Sequence, residues 1–265
     1  MGVKRIMYIN ISNVSKRFTR KGQEFTALDH VNLTIEKGEF ICLLGPSGCG
    51  KSTLLNAIAG FELPTSGSIT INGEEVRKPN PKHVTIFQNY GLLPWRNVVR
   101  NVELALESVK CTKAERREKA EKYLKMVGLE NFMEASPHQL SGGMQQRVAI
   151  ARALTAEPDI IFMDEPFGAL DAITRIKLQD DILDIQKSQK KTIIFVTHDI
   201  EEAVYLADRI VVMTPNPGRI KRILTINLGP SRDRTSEDFF KIRQRIFEIF
   251  NMTHQYPIEY AIYSM

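Results

Sequence analysis

The sequence feature that most constrains the fold is the nine-residue segment Gly45-Pro46-Ser47-Gly48-Cys49-Gly50-Lys51-Ser52-Thr53. It follows a continuous apolar run, Phe40–Leu44, which is typical of a buried parallel strand, and it leads into helical apolar spacing that stops at Gly60. A strand, a Gly-rich turn and a helix start aim several backbone N–H groups at one point, where the helix dipole adds partial positive charge. A Gly-rich stretch can merely turn, but this pattern predicts a site for nucleotide phosphates. Lys51 would reach the β- and γ-phosphates, and the Ser52 hydroxyl would face Mg²⁺.

Composition sets broader limits. The chain has 265 residues, of which 43% are apolar, enough for one large domain or for one domain with an inserted subdomain. Its net charge of +5 is mild and no basic run is dense, so nucleic acid is not an expected partner. Three cysteines without a Cys-x-x-Cys pair indicate a reducing compartment. No apolar stretch approaches a membrane span and the start has no signal-peptide core, so we expect a cytoplasmic protein that reaches a membrane through a partner.

Two further apolar runs end in polar clusters. Ile160–Met163 leads into Asp164 and Glu165, and Thr192–Thr197 leads into His198. Asp164 has the placement of a Mg²⁺-binding acid beside a phosphate loop. Glu165 points to the opposite face of the strand and therefore needs a different partner, such as a water that attacks the γ-phosphate. A lone histidine is usually structural, but His198 at the carboxyl end of a strand is a candidate sensor of the γ-phosphate.

A second anion site is predicted far along the chain from the first. Ser141 is suited to cap a helix that runs to about residue 156, and Gly142 and Gly143 would let a ligand approach the exposed N–H groups closely. By itself such a segment can be only a cap. Asp171 ends a tight loop that leads into a predicted helix, Ala172–Gln189.

The N-terminal third alternates apolar and polar residues. Tyr8–Val14 and Leu28–Ile35 are predicted strands that could pair antiparallel, and the polar segment Thr19–Glu24 between them is a predicted hairpin or loop. Phe18 stands at the end of the first strand, where its ring could stack on adenine or be an ordinary edge-strand aromatic. Gln88 ends a later strand, and its amide could coordinate Mg²⁺ or hold a water.

Helical periodicity dominates two other regions. Asn97–Val109 and Lys113–Val127 are predicted helices, and residues 89–155 are interpreted as a helical insertion in one α/β domain. The apolar stripe within Thr235–Phe250 indicates that a C-terminal helical extension, residues 228–265, docks onto that domain. The expected fold class is α/β: a P-loop nucleoside triphosphatase (NTPase) core with an antiparallel β subdomain and an inserted α-helical subdomain, all in a single domain.

In combination, these motifs closely resemble the ATP-binding cassette (ABC) transporter ATPases, over nearly the whole chain. The order and approximate spacing of the motifs match that family, and the most specific element is Leu140-Ser141-Gly142-Gly143, because phosphate loops alone occur in many kinases and GTPases. The resemblance implies that Phe18 stacks on adenine, that Lys51 binds phosphate and that Glu165 is the catalytic base. It also implies a Mg²⁺ site at Ser52 and Asp164, with Gln88 linking that site to a membrane partner, and it makes His198 the switch histidine.

The same resemblance implies partners. In the family, the signature Ser141–Gly143 contacts ATP held by the opposite subunit, so two copies form a head-to-tail homodimer and Asp171 crosses the interface. The dimer would work with integral membrane permease subunits, and indirectly with an extracytoplasmic solute-binding protein, at the inner face of the membrane. A permease loop would lie in a groove near Gln88–Trp95. One residue departs from the signature: Met144 replaces a frequent glutamine, which removes a hydrogen-bonding side chain.

Leu92-Leu93-Pro94-Trp95-Arg96-Asn97-Val98, Pro166–Asp171 and Arg232-Asp233-Arg234-Thr235 look like the nitrate, sulfonate and taurine importer branch. The expected function is therefore ATP hydrolysis coupled to anion uptake. A non-transport ABC ATPase and a small-molecule kinase are the alternatives.

Overall fold

The computed structural model describes residues 7–20, 22–87, 90–229 and 232–250. The strands within these ranges are β1 (Met7–Arg20), β2 (Gln23–Glu36), β3 (Phe40–Leu44), β4 (Ser66–Ile71), β5 (Glu74–Glu75), β6 (His83–Ile86), β7 (Ile160–Asp164), β8 (Thr192–Thr197), β9 (Arg209–Thr214) and β10 (Arg219–Thr225). The helices are α1 (Lys51–Ala59), α2 (Val98–Glu103), α3 (Lys113–Met126), α4 (Gly142–Thr155), α5 (Ala172–Gln189), α6 (Ile200–Leu206) and α7 (Glu237–Ile249). Short 3₁₀ turns lie at Leu104–Leu106, Glu130–Phe132 and Pro137–Gln139.

Two sheets organise the molecule. The larger has the strand order β10-β9-β3-β8-β7-β6, and its pairs are parallel except β10 with β9. The smaller sheet is antiparallel, in the order β2-β1-β4-β5. Strands β3 and β8 are buried at every residue, which explains their continuous apolar sequences. The expected combination of an α/β core, an antiparallel β unit and helices between β6 and β7 is confirmed.

The hydrophobic core consists of two clusters on opposite faces of the larger sheet. One cluster joins that sheet to α1 and to the inner face of the antiparallel sheet. The other joins it to α2, α3, α4, α5, α6 and α7. Side chains alternate between the two faces along each strand, so β3 contributes Ile41 and Leu43 to the first cluster and Phe40 and Cys42 to the second.

The first hairpin extends further than its sequence suggests. Of the two alternatives for Thr19–Glu24 the hairpin is confirmed, because Thr19 pairs with Glu24 and Arg20 with Gln23 in the antiparallel register. Polar side chains do not end a strand whose backbone hydrogen bonds are made and whose side chains face water. Phe18 therefore lies inside β1, two residues before its end, and pairs with Phe25.

The helices agree with the predictions except at one point. The helix expected over Asn97–Val109 starts as predicted, because the Asn97 side chain caps α2 by accepting a 3.0 Å hydrogen bond from the Arg100 amide, but it already ends at Glu103. The chain tightens into a 3₁₀ turn directly after α2. Helix α3 begins as expected, with a capping box between Thr112 and Glu115. The bounds of the insertion, 89–155, and of the extension, 228–265, stay interpretations.

Helix α7 packs against α6 and buries Phe239 and Ile246 of its apolar stripe. The rest of the predicted extension, residues 251–265, lies outside the described residues. Within the described ranges no helix has both the length and the apolar character needed to cross a bilayer.

Candidate functional site

The loop between β3 and α1 forms the centre of the site. Gly48 and Gly50 have φ values of 78° and 91°, in the left-handed region that favours glycine. A methyl group on Gly50 would also lie 2.8 Å from the Ala27 carbonyl oxygen. The Lys51 ammonium group donates to the carbonyl oxygens of Gly45 at 2.7 Å and Pro46 at 2.9 Å, so it lies against the loop. Backbone amide groups at the start of a helix favour anions, so phosphate is expected beside this ammonium group at the start of α1.

A cavity of about 450 Å³ opens beside this loop. It contains most of the predicted phosphate loop together with both acids that follow β7 and the aromatic end of the first hairpin. Its lining residues are Phe18, Phe25, Thr26, Ala27, Ser47, Gly48, Gly50, Lys51, Ser52, Thr53, Asp164, Glu165 and Asn216. Of the other loop residues, Gly45 and Cys49 are buried beneath this surface and Pro46 is exposed.

Asp164 and Ser52 meet at the floor of the cavity. The Ser52 hydroxyl donates to Asp164 Oδ1 at 3.0 Å. Burial raises the pKa of the Asp164 carboxyl, with a smaller contribution from the neighbouring Glu165 charge, whereas the Ser52 hydrogen bond opposes this shift. A divalent cation bound beside the Asp164 carboxylate would favour its ionised form and so oppose this rise in pKa. A hydroxyl and one carboxylate are typical protein ligands for Mg²⁺, which completes its shell with phosphate oxygens and water. The described residues hold no cluster of three or more His, Cys, Asp or Glu that could bind a metal.

Glu165 has a different partner from Asp164, as the strand alternation predicts. Its Oε1 lies 3.1 Å from His198 Nδ1, which brings the ends of β7 and β8 together. Glu165 adopts a φ of 47°, in the left-handed region that is unfavourable for most residues. Strained backbone of this kind often occurs at functional sites. The structure therefore brings together the two residues predicted to act in catalysis; their roles stay predictions.

The aromatic end of the cavity contains two rings. Phe18 and Phe25 stack with centroids 5.5 Å apart, and the Lys16 ammonium group lies 4.9 Å from the Phe18 centroid. Phe25 is 51% exposed, so it offers an open ring face that was not predicted from the sequence. The hairpin pairing could have indicated this ring, because Phe25 lies opposite Phe18 in the register. Asn216, also missed, reaches the cavity from the β9–β10 loop, which no local pattern links to this site.

The predicted signature lies elsewhere. Ser141 caps α4 by accepting a hydrogen bond from the Met144 amide at 3.3 Å, and neither it nor Gly142 nor Gly143 lines the cavity. A methyl group on Gly143 would lie 3.1 Å from the Ala169 carbonyl oxygen, so the signature packs against the loop that precedes α5. In that loop Asp171 caps α5 by accepting from the Thr174 amide at 3.0 Å, and this bond lowers the pKa of its carboxyl.

The two side chains that follow Ser141–Gly143 both contact their own chain. Met144, which stands where the family often has glutamine, is half-buried and packs against the core. The Gln145 side-chain amide donates to the Leu140 carbonyl oxygen at 3.2 Å.

Gln88, predicted at the Mg²⁺ site, lies outside the described residues. The residues that follow shortly after it are held by α4. The Arg152 guanidinium donates to the carbonyl oxygens of Tyr90 at 2.9 Å and Gly91 at 2.8 Å, and burial lowers its pKa. The Tyr90 hydroxyl lies 3.3 Å from the position of a methyl group on Gly142, near the start of the same helix.

Comparison with known proteins supports one family. A family profile described as "ABC transporter" matches residues 28–168. An uncharacterized ABC transporter ATP-binding protein of Methanocaldococcus jannaschii is 52% identical over 241 residues, which cover 91% of this chain and 90% of that protein.

Two further relatives have names that include a solute. The bicarbonate transport ATP-binding protein CmpD of Synechocystis is 48% identical, with 87% of this chain and 83% of that protein covered. The aliphatic sulfonates import ATP-binding protein SsuB of Bacillus cereus is 45% identical, with 92% and 96% covered.

Among solved structures, a dimeric ATP-binding cassette in a post-hydrolysis state, bound to ADP and Pi, matches with a TM-score of 0.77 at 36% identity. The match covers 83% of this chain and 99% of that one. From its motifs, its fold and these relatives together, the chain belongs to the ABC transporter family, as an ATP-binding subunit.

Proposed function

We propose that this chain hydrolyses ATP as one half of a homodimer and that this drives the import of a small anion through a membrane permease. The observation that carries the proposal is the arrangement at the ends of β7 and β8. Ser52 Oγ and Asp164 Oδ1 are 3.0 Å apart, and Glu165 Oε1 and His198 Nδ1 are 3.1 Å apart. Both pairs lie at or beside one cavity whose far end is aromatic.

In this proposal the triphosphate of ATP lies on the loop Gly45–Thr53, with Lys51 moving from its carbonyl partners to the phosphates. Ser52 and Asp164 would hold Mg²⁺, with Gln88 as a third expected ligand. The ion would neutralise charge on the phosphate oxygens. The adenine ring would stack at the aromatic end of the cavity, where base–aromatic stacking contributes about 1–3 kcal/mol.

Glu165 would act as the general base. Its carboxylate takes a proton from the attacking water while that oxygen bonds to the γ-phosphorus and the bond to the β-phosphate oxygen breaks, which leaves ADP and phosphate. General-base assistance typically contributes about 10²–10⁴-fold to the rate. His198 holds this carboxylate through its Nδ1 contact and keeps Nε2 available for the γ-phosphate.

Replacing the base tests this role. We expect Glu165→Gln to bind ATP normally, to lose about 10²–10⁴-fold in turnover and to accumulate as an ATP-bound dimer in light scattering. Glu118→Gln, which removes an exposed carboxylate from α3, is the matched control and should keep full turnover. Full turnover in Glu165→Gln would assign the base elsewhere, and a phosphorylated small-molecule product would refute the ATPase proposal.

The position of the signature supports a site shared between two copies. Ser141–Gly143 carries the exposed start of α4 but does not line the cavity of its own chain, and the matched cassette structure is a dimer. In a head-to-tail dimer each copy would give its phosphate loop to one site and its signature, beside Asp171, to the other.

Mixing two inactive variants tests this arrangement. Lys51→Ala and Ser141→Arg should each abolish hydrolysis alone, whereas their mixed dimer retains one intact site and should recover up to about a quarter of wild-type activity. Each single variant, taken through the same mixing procedure alone, is the control. If the mixture stays inactive although mixed dimers form, each site is complete within one chain.

Three exposed aromatic residues, which we propose to act together as one docking surface, favour a membrane partner. Phe61 and Phe87 contact each other at 5.5 Å and are each 48% exposed, and Trp95 is 77% exposed. Leu63 is exposed close to Phe61 in the chain. Exposed aromatic residues of this kind are typical of docking sites, and we propose that a cytoplasmic loop of the permease covers them at the inner face of the membrane.

Pull-down of the permease tests this surface. Phe61→Ser combined with Trp95→Ser should release the permease while the isolated subunit keeps its ATPase activity. Ile223→Ser, an equivalent change of a partly exposed residue on β10, is the control. Undiminished capture of the permease by the double variant would exclude this surface.

The names of two relatives, a bicarbonate and an aliphatic sulfonate transport protein, both specify anions, as does the branch resemblance. A small anion is therefore the proposed solute, recognised by a permease and an extracytoplasmic binding protein. Calorimetry of the co-purified binding protein with bicarbonate, nitrate, taurine and an alkanesulfonate would identify it. Binding of a neutral or cationic solute in place of all four would refute this part.

A further inference from the structure

The segment Arg232-Asp233-Arg234-Thr235, which precedes α7, inserts its first arginine into the body of the molecule. Arg232 is 8% exposed and donates to the carbonyl oxygens of Tyr205 at 2.9 Å and Ala207 at 2.8 Å. These are at the carboxyl end of α6, and an ion pair with Asp208 completes the arrangement. The segment is therefore anchored to the helix that directly follows His198 and Asp199.

The second arginine contacts two elements at once. The Arg234 guanidinium lies 3.5 Å from the centroid of the Tyr205 ring on α6 and donates to Gln179 Oε1 on α5 at 2.6 Å. Gln179 is only 1% exposed. Because the two ends of an amide differ only in donor and acceptor character, a donor bound to Oε1 fixes which end faces the other partner. Arg234 therefore sets the orientation of the Gln179 amide.

The other end of that amide faces a buried carboxylate. Gln179 Nε2 donates to Glu202 Oε1 at 3.4 Å, and the Thr197 hydroxyl donates to Glu202 Oε2 at 2.8 Å. Thr197 Oγ1 in turn accepts from the Asp199 amide at 3.0 Å. The two residues on either side of His198 are thus the last members of a hydrogen-bonded series that starts at Arg234.

A buried carboxylate such as Glu202, which is 7% exposed, needs its donors. If the Gln179 amide turned over, its oxygen would face Glu202, and the carboxylate would have to find another donor by moving. Among the described residues, the buried Arg175 Nε lies 3.9 Å from Glu202 Oε1, so the carboxylate would move toward it and strain its hydrogen bond with Thr197. Movement of Thr197 shifts the end of β8, where the His198 imidazole meets Glu165.

We propose that Arg234 is a positioning residue for ATP hydrolysis, which acts through Gln179, Glu202 and Thr197 to hold the His198 imidazole against Glu165. The hydrolysis part of this statement rests on the function proposed above. The positional part rests on the described hydrogen bonds alone.

Kinetics of matched arginine variants test the proposal. Arg234→Ala should lower kcat about tenfold and change KM for ATP by less than about twofold, because it misplaces a catalytic contact without touching the nucleotide. Arg234→Lys keeps one donor for Gln179 Oε1 and should recover kcat to within about threefold of wild type. Arg243→Ala is the control, since it removes a 2.8 Å ion pair between α7 and Glu201 of α6 but leaves the series intact.

Two further variants distinguish loss of this hydrogen-bonded series from a general loss of folding. Gln179→Met removes both hydrogen bonds of the amide at similar volume, and it should lower kcat as much as Arg234→Ala does. The double variant should be no slower than either single variant, because both interrupt the same series. A double variant slowed by the product of the two single effects, or equal kcat values for Arg234→Ala and Arg243→Ala, would overturn the proposal.

Imidazole NMR gives a measurement that does not need turnover. His198 resonances, assigned by loss in His198→Gln, should shift in Arg234→Ala and Gln179→Met but not in Arg243→Ala. If wild-type protein does not hydrolyse ATP, the proposed function fails, and this experiment still decides whether Arg234 positions His198. Unchanged His198 resonances in both variants would refute the positional part.

Discussion

Substituting Gly218 by alanine should strain the phosphate loop from outside the site. Gly218 lies in the β9–β10 loop, where its amide donates to the Ala27 carbonyl oxygen at 3.0 Å. A methyl group on Gly218 would lie 2.6 Å from that oxygen, well inside the 3.4 Å at which ordinary contact begins, and closer still to the Cys49 carbonyl oxygen. Both obstacles are backbone atoms, so they cannot rotate away.

Overpacking of this kind costs about 1–3 kcal/mol, which for a chain of this size lowers Tm by about 2–12 °C. If about 1.4 kcal/mol of this strain persists in the loop around Cys49, the Kd for ATP should rise about tenfold. Thermal unfolding and titration with a fluorescent ATP analogue measure the two effects.

Gly229→Ala is the matched control, since among the described residues, its chain neighbours aside, a methyl group at Gly229 would have no heavy atom within 4 Å. Equal Tm and equal ATP affinity in the two variants would refute the inferred packing of the β9–β10 loop against the phosphate loop.

Three other expectations concern single side chains. Burial raises the pKa of the Glu202 carboxyl above its ordinary value of about 4.5, so the unfolded chain loses this proton at a lower pH than the folded chain does. The free energy of unfolding of wild type, relative to Glu202→Gln, should therefore fall as pH rises above about 4.5, and urea unfolding at several pH values measures it. Cys49 is fully buried and burial raises its pKa, so iodoacetamide at neutral pH should modify the partly exposed Cys111 first, and early modification of Cys49 in mass spectra would contradict its burial. Replacing the ring that stacks on adenine should weaken ATP binding by about 1–3 kcal/mol, so comparing Phe18→Leu with Phe25→Leu assigns that role, and normal affinity in both would exclude stacking on either ring.

Local patterns in the sequence were sufficient for much of the fold. Strands β3, β7 and β8 are continuous apolar runs because they are buried on both faces, and Gly60 ends α1 because only glycine readily takes its φ of 83°. The end of the first strand was expected at Phe18 but lies at Arg20, because strand pairing, and not side-chain polarity, determines where the first hairpin ends.

For the candidate site, sequence was informative where one side chain follows one strand. Asp164, Glu165 and His198 lie close together because the carboxyl ends of parallel strands share one edge of a sheet, and their roles stay predictions. The positions of the Asn216 and Arg234 side chains could not be predicted. Asn216 lines the cavity and Arg234 contacts Gln179, and in each case only tertiary packing brings together parts of the chain that are far apart in sequence.

The Arg152 contact has a mechanical consequence. Its partly buried guanidinium cannot release the Tyr90 and Gly91 carbonyl oxygens without leaving a charged donor unpaired in a poorly solvated place, which is costly. The eleven residues of α4 from Gly142 to Arg152 form a stiff segment about 15 Å long. A displacement of the backbone at Tyr90 should therefore move α4 as a rigid body, so that Gly142, at the other end of the helix, moves with it.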